Sequence, residues 1–180
     1  CNVPDEGLES EPMRSLAMSD NVRCDFLVIG SGLAGLAFAL KAAKHGRVVI
    51  LSKGQAPSTN TSMAQGGIAA VMGDDDSFDS HIRDTITAGA GLCREEAVRT
   101  VVEAAPRVIA ELIEWGVHFD VTGPGGKIDL TREGGHTHRR ILHVQDHTGQ
   151  DIHDRLLALV RKNPAIEIRE DHFAVDLIVN

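Results

Sequence analysis

Residues 25–35 read Asp-Phe-Leu-Val-Ile-Gly-Ser-Gly-Leu-Ala-Gly, an apolar run that turns through Gly30-x-Gly32-x-x-Gly35 and opens directly into a helix. Each glycine has its own task in such a turn. Gly30 permits the tight reversal, Gly32 lets backbone approach an anion, and Gly35 lets the helix pack on the strand, while free N–H groups at the helix start face outward. The glycine spacing alone is a weak signal that also fits a structural Gly-rich turn. Its surroundings strengthen it. Phe26 to Ile29 are continuously apolar, and Leu36, Phe38, Ala39, Leu40, Ala42 and Ala43 follow with few polar breaks, as in a helix packed on a parallel sheet. The turn is expected to hold the pyrophosphate of a dinucleotide.

Outward from that turn, His45-Gly46 ends the helix and Arg47 to Ser52 supply a second buried strand. A right-handed crossover makes the two strands parallel neighbours, so the chain opens as an α/β, Rossmann-like unit with a parallel sheet. An NAD site commonly places an acid about 20 residues past the glycines to hold the ribose. Here the second strand ends in Ser52-Lys53. A hydroxyl can still bond a ribose and an ammonium suits phosphate, so the dinucleotide is retained and FAD becomes the better candidate. The long loop that follows, Asn60-Thr61-Ser62-Met63-Ala64-Gln65-Gly66-Gly67, offers amides, hydroxyls and backbone N–H groups where a flavin would lie. Such groups bond an isoalloxazine edge and stabilise charge on reduction. The other reading is a polar surface loop.

Further on, Ile68 to Met72 is a short apolar piece, and Asp74-Asp75-Asp76-Ser77 looks like a helix start capped by Asp76 or Ser77. Residues 77–88 and 94–115 are expected to be helical, the second stretch broken or re-entered at Pro106 and stopped at Trp115-Gly116. Gly123 to Gly126 turn between two extended pieces, Val117–Val121 and Lys127–Leu130, in a hairpin-like excursion. Thr148 opens a helix with an apolar stripe at Ile152, Leu156, Leu157, Leu159 and Val160, ended by Asn163-Pro164. Strands over 165–170 and 172–179 close the sequence. It stops within an apolar stretch, Leu177-Ile178-Val179-Asn180, so the expected fold is incomplete and continued elsewhere.

Of the 180 residues, 42% are apolar but only 3% aromatic, so the core must be built from Val, Ile, Leu and Ala. With a net charge of −8 and no Lys/Arg-rich block, nucleic acid and anionic membrane are poor partners. No apolar stretch is long enough to span a bilayer. Cys1, Cys24 and Cys93 suggest neither a disulfide framework nor a metal site. A reducing, cytoplasmic compartment is expected, or an organelle if residues 1–23 follow a cleaved transit peptide. Those residues read as a disordered leader, and 24–180 as the N-terminal part of one FAD-binding domain.

Taken together, the strand-GSGLAG-helix, the second strand ending Leu51-Ser52-Lys53, NTSMAQGGIAAV at 60–71 and LTREGGHTHRRILHVQDHTG at 130–149 resemble the L-aspartate oxidase branch of the succinate dehydrogenase and fumarate reductase flavoprotein family. The resemblance runs from about residue 24 to 180. It implies a Rossmann-like FAD-binding domain with the start of a substrate-side excursion. Gly30, Ser31, Gly32, Leu33, Ala34 and Gly35 would bind the FAD pyrophosphate, Ser52 and Lys53 would lie near the adenosine ribose, and Asn60 to Gly67 along the flavin ring. Ala174 would fall in the strand whose backbone meets adenine.

Two positions separate the branches of that family. Its dehydrogenases and reductases attach FAD through a His that aligns with Asn60; an amide cannot make that bond, so the resemblance implies non-covalent FAD. They also carry an apolar residue where this chain has Glu133, before Gly134-Gly135. A carboxylate there favours the ammonium of an amino acid and repels a simple dicarboxylate, by up to a few kcal/mol in a dry site. The implied reaction oxidises L-aspartate to iminoaspartate with O2, giving H2O2, or with fumarate as acceptor, and links functionally to quinolinate synthase in NAD biosynthesis. The alternatives are a fumarate reductase or succinate dehydrogenase flavoprotein, disfavoured by Asn60 and Glu133, and a non-catalytic nucleotide-binding module.

His136, His138, His143 and His147 cluster in sequence with Arg139 and Arg140. Without a Cys, and with His-x-His in a loop, a metal is not expected. The histidines are expected to tie this loop to the flavin domain or to a second domain, and Arg139 or Arg140 to be available to a substrate carboxylate. In the family the carboxylate clamps and catalytic Arg lie beyond position 180, so no catalytic residue is assigned.

Overall fold

The computed structural model describes residues 21–145 and 147–179, so residues 1–20 of the expected leader lie outside the described residues. Strand β1 (Phe26–Ile29), helix α1 (Leu33–Ala42) and strand β2 (Val48–Leu51) form the expected β-α-β opening. The strands pair in parallel, from Phe26 opposite Val48 to Ile29 opposite Leu51. Short strand β3 (Ile68–Ala69) follows the polar loop, then helices α2 (Phe78–Ala88) and α3 (Glu95–Glu114). Strands β4 (Val121–Thr122), β5 (Lys127–Ile128), β6 (Leu130–Thr131) and β7 (Ile141–Leu142), helix α4 (Thr148–Lys162) and strand β8 (Ile166–Arg169) complete the order. β8 pairs with the free side of β2, again in parallel, giving a β1-β2-β8 sheet.

The centre of that sheet explains the Val/Ile-rich composition of β2. Val48, Val49 and Ile50 are all buried, so the strand is covered on both faces and shows no polar alternation. Val48 and Ile50 share one cluster with Val28 of β1, Leu36 and Ala39 of α1, and Leu156 and Val160 of α4. Each of the Val, Leu and Ile side chains contributes about 1.5–3 kcal/mol on burial. α1 and α4 pack against one another over this cluster, which fixes the start of α4 close to the glycine turn.

A second, antiparallel sheet runs β3-β7-β6. Ile68 lies opposite Leu142, and Leu142 opposite Leu130, so the polar loop before β3 and the β6–β7 connection both enter one small scaffold. β4 and β5 make the expected hairpin, reduced to two residue pairs, Val121 with Ile128 and Thr122 with Lys127.

Two expectations are corrected. α3 runs unbroken through Pro106. Loss of one helix hydrogen bond there is outweighed by the apolar stripe of Val102, Ile109 and Leu112, buried on both sides of the proline. And residues 172–179, which carry Ala174, form no strand. A strand exists through pairing, and beyond His172, whose N–H donates to Ser52 O at 2.9 Å, this stretch makes no backbone bond to another strand among the described residues: Phe173, Val175 and Ile178 are all at least 75% exposed.

Candidate functional site

The glycine turn has the geometry its sequence requires. Gly30 adopts φ +106°, and its N–H donates to Leu51 O at 2.8 Å, closing the turn across to β2. At Gly35 the constraint is contact, since a Cβ there would press into the carbonyl oxygen of Gly30 and lie 3.3 Å from Val28 Cγ1. Gly32 caps α1 without a side-chain hydrogen bond, and the first turn of α1 contains no acid. Apart from the Leu33 N–H, which Thr61 Oγ1 accepts, its first N–H groups and dipole are thus left for an external anion. Beside them a groove of about 770 Å³ is lined by Gly30, Gly32, Leu33, Ala34, Gly35 and Thr61, and runs on to Trp115.

Ser31 faces the other way. It is 4% exposed, and its Oγ lies 3.0 Å from Ser52 Oγ and 3.2 Å from Ala56 O. Because a carbonyl only accepts, the Ser31 hydroxyl donates to Ala56 and Ser52 donates to Ser31. Ser52 is likewise buried, so the Ser31–Ser52 pair holds the turn against the end of β2, while Lys53 is the exposed member of Ser52-Lys53.

The 60–67 loop is fastened at three points. Leu33 N–H at the start of α1 donates to Thr61 Oγ1 at 3.3 Å. Ser62 Oγ turns inward, 2.8 Å from the carbonyls of Pro57 and Thr59, so its hydroxyl serves the loop itself. Gly149, in the first turn of α4, donates to Ala64 O at 3.1 Å, and a Cβ at that position would collide with Thr61 O and Ala64 O. Asn60, Met63, Ala64, Gln65 and Gly66 remain exposed. α4 also reaches the glycine turn: His153, fully buried, places Nε2 2.9 Å from Ser31 O.

Glu133 sits in the β6–β7 connection, exposed, and its side chain has no ion-pair partner among the described residues. The connection is anchored from below by Arg140, which corrects one expectation. Arg140 is fully buried and not available to a substrate carboxylate. Its Nε and one terminal nitrogen fork onto Asp76, both at 2.7 Å, and the other terminal nitrogen bonds Asp84 at 2.7 Å. Thr137 adds its N–H and hydroxyl to the same Asp84 oxygen, each at 2.8 Å. Burial opposes ionisation of Asp84, but the Thr137 bonds and the Arg140 guanidinium outweigh it and hold its pKa down to about 2. The same balance, with Arg140 and the Ser77 N–H as the favourable partners, lowers Asp76. Burial, reinforced by Arg140 and His136, pushes His81 below the usual imidazole range. His138 leans on this clamp, with Nδ1 3.1 Å from Ser80 Oγ, while His143 pairs with Asp120 at 3.0 Å. His138 thus fastens the β6–β7 connection to α2, and His143 fastens the segment after β7 to the segment before β4. Ser77, not Asp76, caps α2, accepting from Ser80 N–H. Arg139 stays exposed, beside Arg132 and His138 in a polar cavity of about 600 Å³.

A helix N-terminus with no acidic cap, a glycine at 32 that the fold does not sterically require, and a polar loop tied to the same helix start together form a cradle suited to a dinucleotide. The chain belongs to the FAD binding domain family, which matches residues 25–180. Its curated relatives include L-aspartate oxidases. The chloroplastic L-aspartate oxidase 2-b of Nicotiana tabacum is 51% identical over 86% of this chain and 24% of its own length. That of Pseudomonas aeruginosa is 49% identical over 89% of this chain and 31% of its own. This chain therefore spans about a quarter to a third of the length of these relatives. Among solved structures, a mutant Escherichia coli quinol fumarate reductase FrdA chain superposes with a TM-score of 0.81 at 31% identity, over 87% of this chain and 27% of that one.

The residues present fit FAD. The α1 N-terminus and Gly32 would take its pyrophosphate, and the exposed amide and backbone groups of Asn60, Gln65 and Gly66, with half-buried Gly67 behind them, would meet the ring edge. Sequence reasoning passed over three contributors: His153, Gly149 and the Asp76–Arg140–Asp84 clamp. His153 falls on the stripe defined by Ile152, Leu156 and Val160, and a polar residue on an apolar stripe is the signal that marks it. No group of three His, Cys, Asp or Glu is placed to hold a metal ion among the described residues.

Proposed function

We propose that the protein built on this domain is an FAD-dependent L-aspartate oxidase. L-Aspartate is oxidised to iminoaspartate, and the electron pair passes to O2, forming H2O2, or to fumarate. When bound, FAD supplies the two-electron acceptor for hydride leaving the substrate α-carbon. The chain's own part is to hold the pyrophosphate at Gly30 to Gly35, to line the flavin edge with the 60–67 loop, and to present Glu133. Glu133 is the observation that carries the reading. An unpaired carboxylate on a rigidly anchored connection attracts an ammonium and repels a succinate dianion, so it selects an amino acid over the plain dicarboxylate. The aspartate oxidase relatives support this choice, and the chloroplastic name of the tobacco relative supports an organellar location where a transit peptide is present. Iminoaspartate so formed is suited to quinolinate synthase in NAD biosynthesis.

The likeness to fumarate reductase favours one competing reading, a succinate-oxidising flavoprotein. Peroxide formation by the natural full-length protein, with L-aspartate and succinate side by side, separates the two. L-Aspartate alone should give peroxide; turnover of succinate instead would overturn the proposal.

Two further outcomes are expected. Acid precipitation should release all flavin into the supernatant, because the Asn60 amide cannot form the histidyl linkage; yellow colour left in the pellet would contradict this. Glu133→Gln should lower kcat/KM for L-aspartate on the order of tenfold, ~1.4 kcal/mol, with a smaller effect on fumarate reduction. Equal losses on both substrates would remove its assigned role.

A further inference from the structure

We infer that His153 is a positioning residue for the FAD pyrophosphate, acting through the backbone of the glycine turn. Its Nε2 lies 2.9 Å from Ser31 O, wholly buried. A carbonyl oxygen can only accept, so the hydrogen is on Nε2. Nδ1 has no hydrogen-bond partner, the nearest carboxylate being Asp154 at 3.9 Å. The ring is thus committed to one bond.

That bond decides which way the Ser31–Gly32 peptide faces. No described peptide bond is cis, and in a trans peptide the C=O and the N–H point in opposite directions. With Ser31 O drawn inward to α4, Gly32 N–H is directed outward at the start of α1. It has no acceptor among the described residues. Glycine at 32 allows close approach of a phosphate, but its missing Cβ also lowers the steric barrier to rotating this peptide by half a turn. The rotated form would aim a carbonyl oxygen at the anion in place of a donor. His153 opposes that rotation from one end. Ser31 Oγ, held by Ser52 and Ala56, opposes it from the other.

The same helix sets the second half of the cradle. Gly149 and His153 are four residues apart, hence on one face of α4. The first holds Ala64 O and the second Ser31 O, so α4 keeps the flavin-side loop and the phosphate turn in fixed register.

The inference rests on FAD occupying this turn, and the test separates the two claims. Three variants of the natural full-length protein are compared: His153→Leu and His153→Asn, which cannot donate at the Nε2 position, and His153→Gln, whose amide can. FAD affinity is read by fluorescence quenching on reconstituting apoprotein, and the pyrophosphate by 31P NMR of bound FAD. Leu and Asn should weaken FAD binding about tenfold and shift the 31P resonances, while Gln should return both to within about threefold of the natural protein. Unchanged affinity in Leu and Asn, equal loss in Gln and Asn, or weaker binding with unmoved 31P resonances would each overturn the inference. Asn and Gln are polar and close in volume, so a folding failure confined to Leu leaves the comparison intact. Absence of FAD binding by the unsubstituted protein would overturn the cofactor site itself, a separate result.

Discussion

Gly35→Ala is expected to abolish flavin binding, although it adds a single methyl group. The new Cβ would overlap the carbonyl oxygen of Gly30 and crowd Val28 Cγ1. Neither neighbour is the free end of a flexible side chain. Gly30 is pinned by its N–H bond to Leu51 and Val28 is buried in the sheet, so relief requires α1 to lift away from β1. That movement carries the α1 N–H groups away from the phosphates and opens the Leu36–Ala39 contact with the core. A loss of about 3 kcal/mol or more in flavin binding, roughly a hundredfold, is expected. Flavin content of the purified full-length variant measures it. Normal yellow protein with unchanged affinity would mean that the turn does not bear on the cofactor. Gly32 provides the contrast, because a Cβ there would meet nothing nearer than Thr61 Oγ1 at 3.7 Å. The fold itself places no steric demand for glycine there.

The second large effect is expected at Arg140→Met. The buried clamp joins one cation to two carboxylates, and removal of the cation leaves Asp76 and Asp84, whose side chains are almost wholly buried, without it. Breaking a buried pair from one side costs about 3–5 kcal/mol. Urea unfolding at neutral pH should report that loss as a lowered midpoint. The pH dependence carries the signature. In the natural protein the folded-state pKa of Asp84 is depressed from 3.8 to about 2, so its stabilisation is fully present above about pH 4 and is lost as pH falls through 2. That contribution is about 2 kcal/mol. In the Met variant the carboxylates lose their partner, and protonation relieves them. The gap between the two proteins should therefore narrow as pH drops from 4 toward 2. A gap that is constant with pH would mean that the loss comes from packing and not from the clamp. Substrate preference should shift as well, because Glu133 rides on the connection that the clamp anchors.

The β-α-β opening and α4 are legible in the sequence because one local property, the spacing of apolar residues, determines them. Phe26 to Ile29 and Val48 to Leu51 read as strands because burial on both faces leaves no polar position. The clamp is not legible in this way. Asp74, Asp75 and Asp76 are equivalent helix-start acids when read locally, and only the fold shows that Asp76 meets a guanidinium 64 positions away. Pro106 misleads for a related reason: its cost is local, whereas the compensating burial of Val102, Ile109 and Leu112 is tertiary. Ser31 and Ser52 sit in cofactor-binding motifs, yet their hydroxyls are spent on each other and on Ala56. What such a motif encodes at those positions includes the stiffness of the site as well as its contacts.

His153 and Ser31 are 122 residues apart in the chain. The phosphate turn is synthesised early, but its fixed form waits for α4, and the sheet beneath it waits for β8 to pair with β2. Closing contacts of such long sequence separation is slow and comes late in folding. A chain emerging from the ribosome N-terminus first would thus display the glycine sequence long before it could retain a dinucleotide. At the proposed cofactor site, flavin would therefore load late in biogenesis, and a protein that holds it there would already have brought its distant segments together.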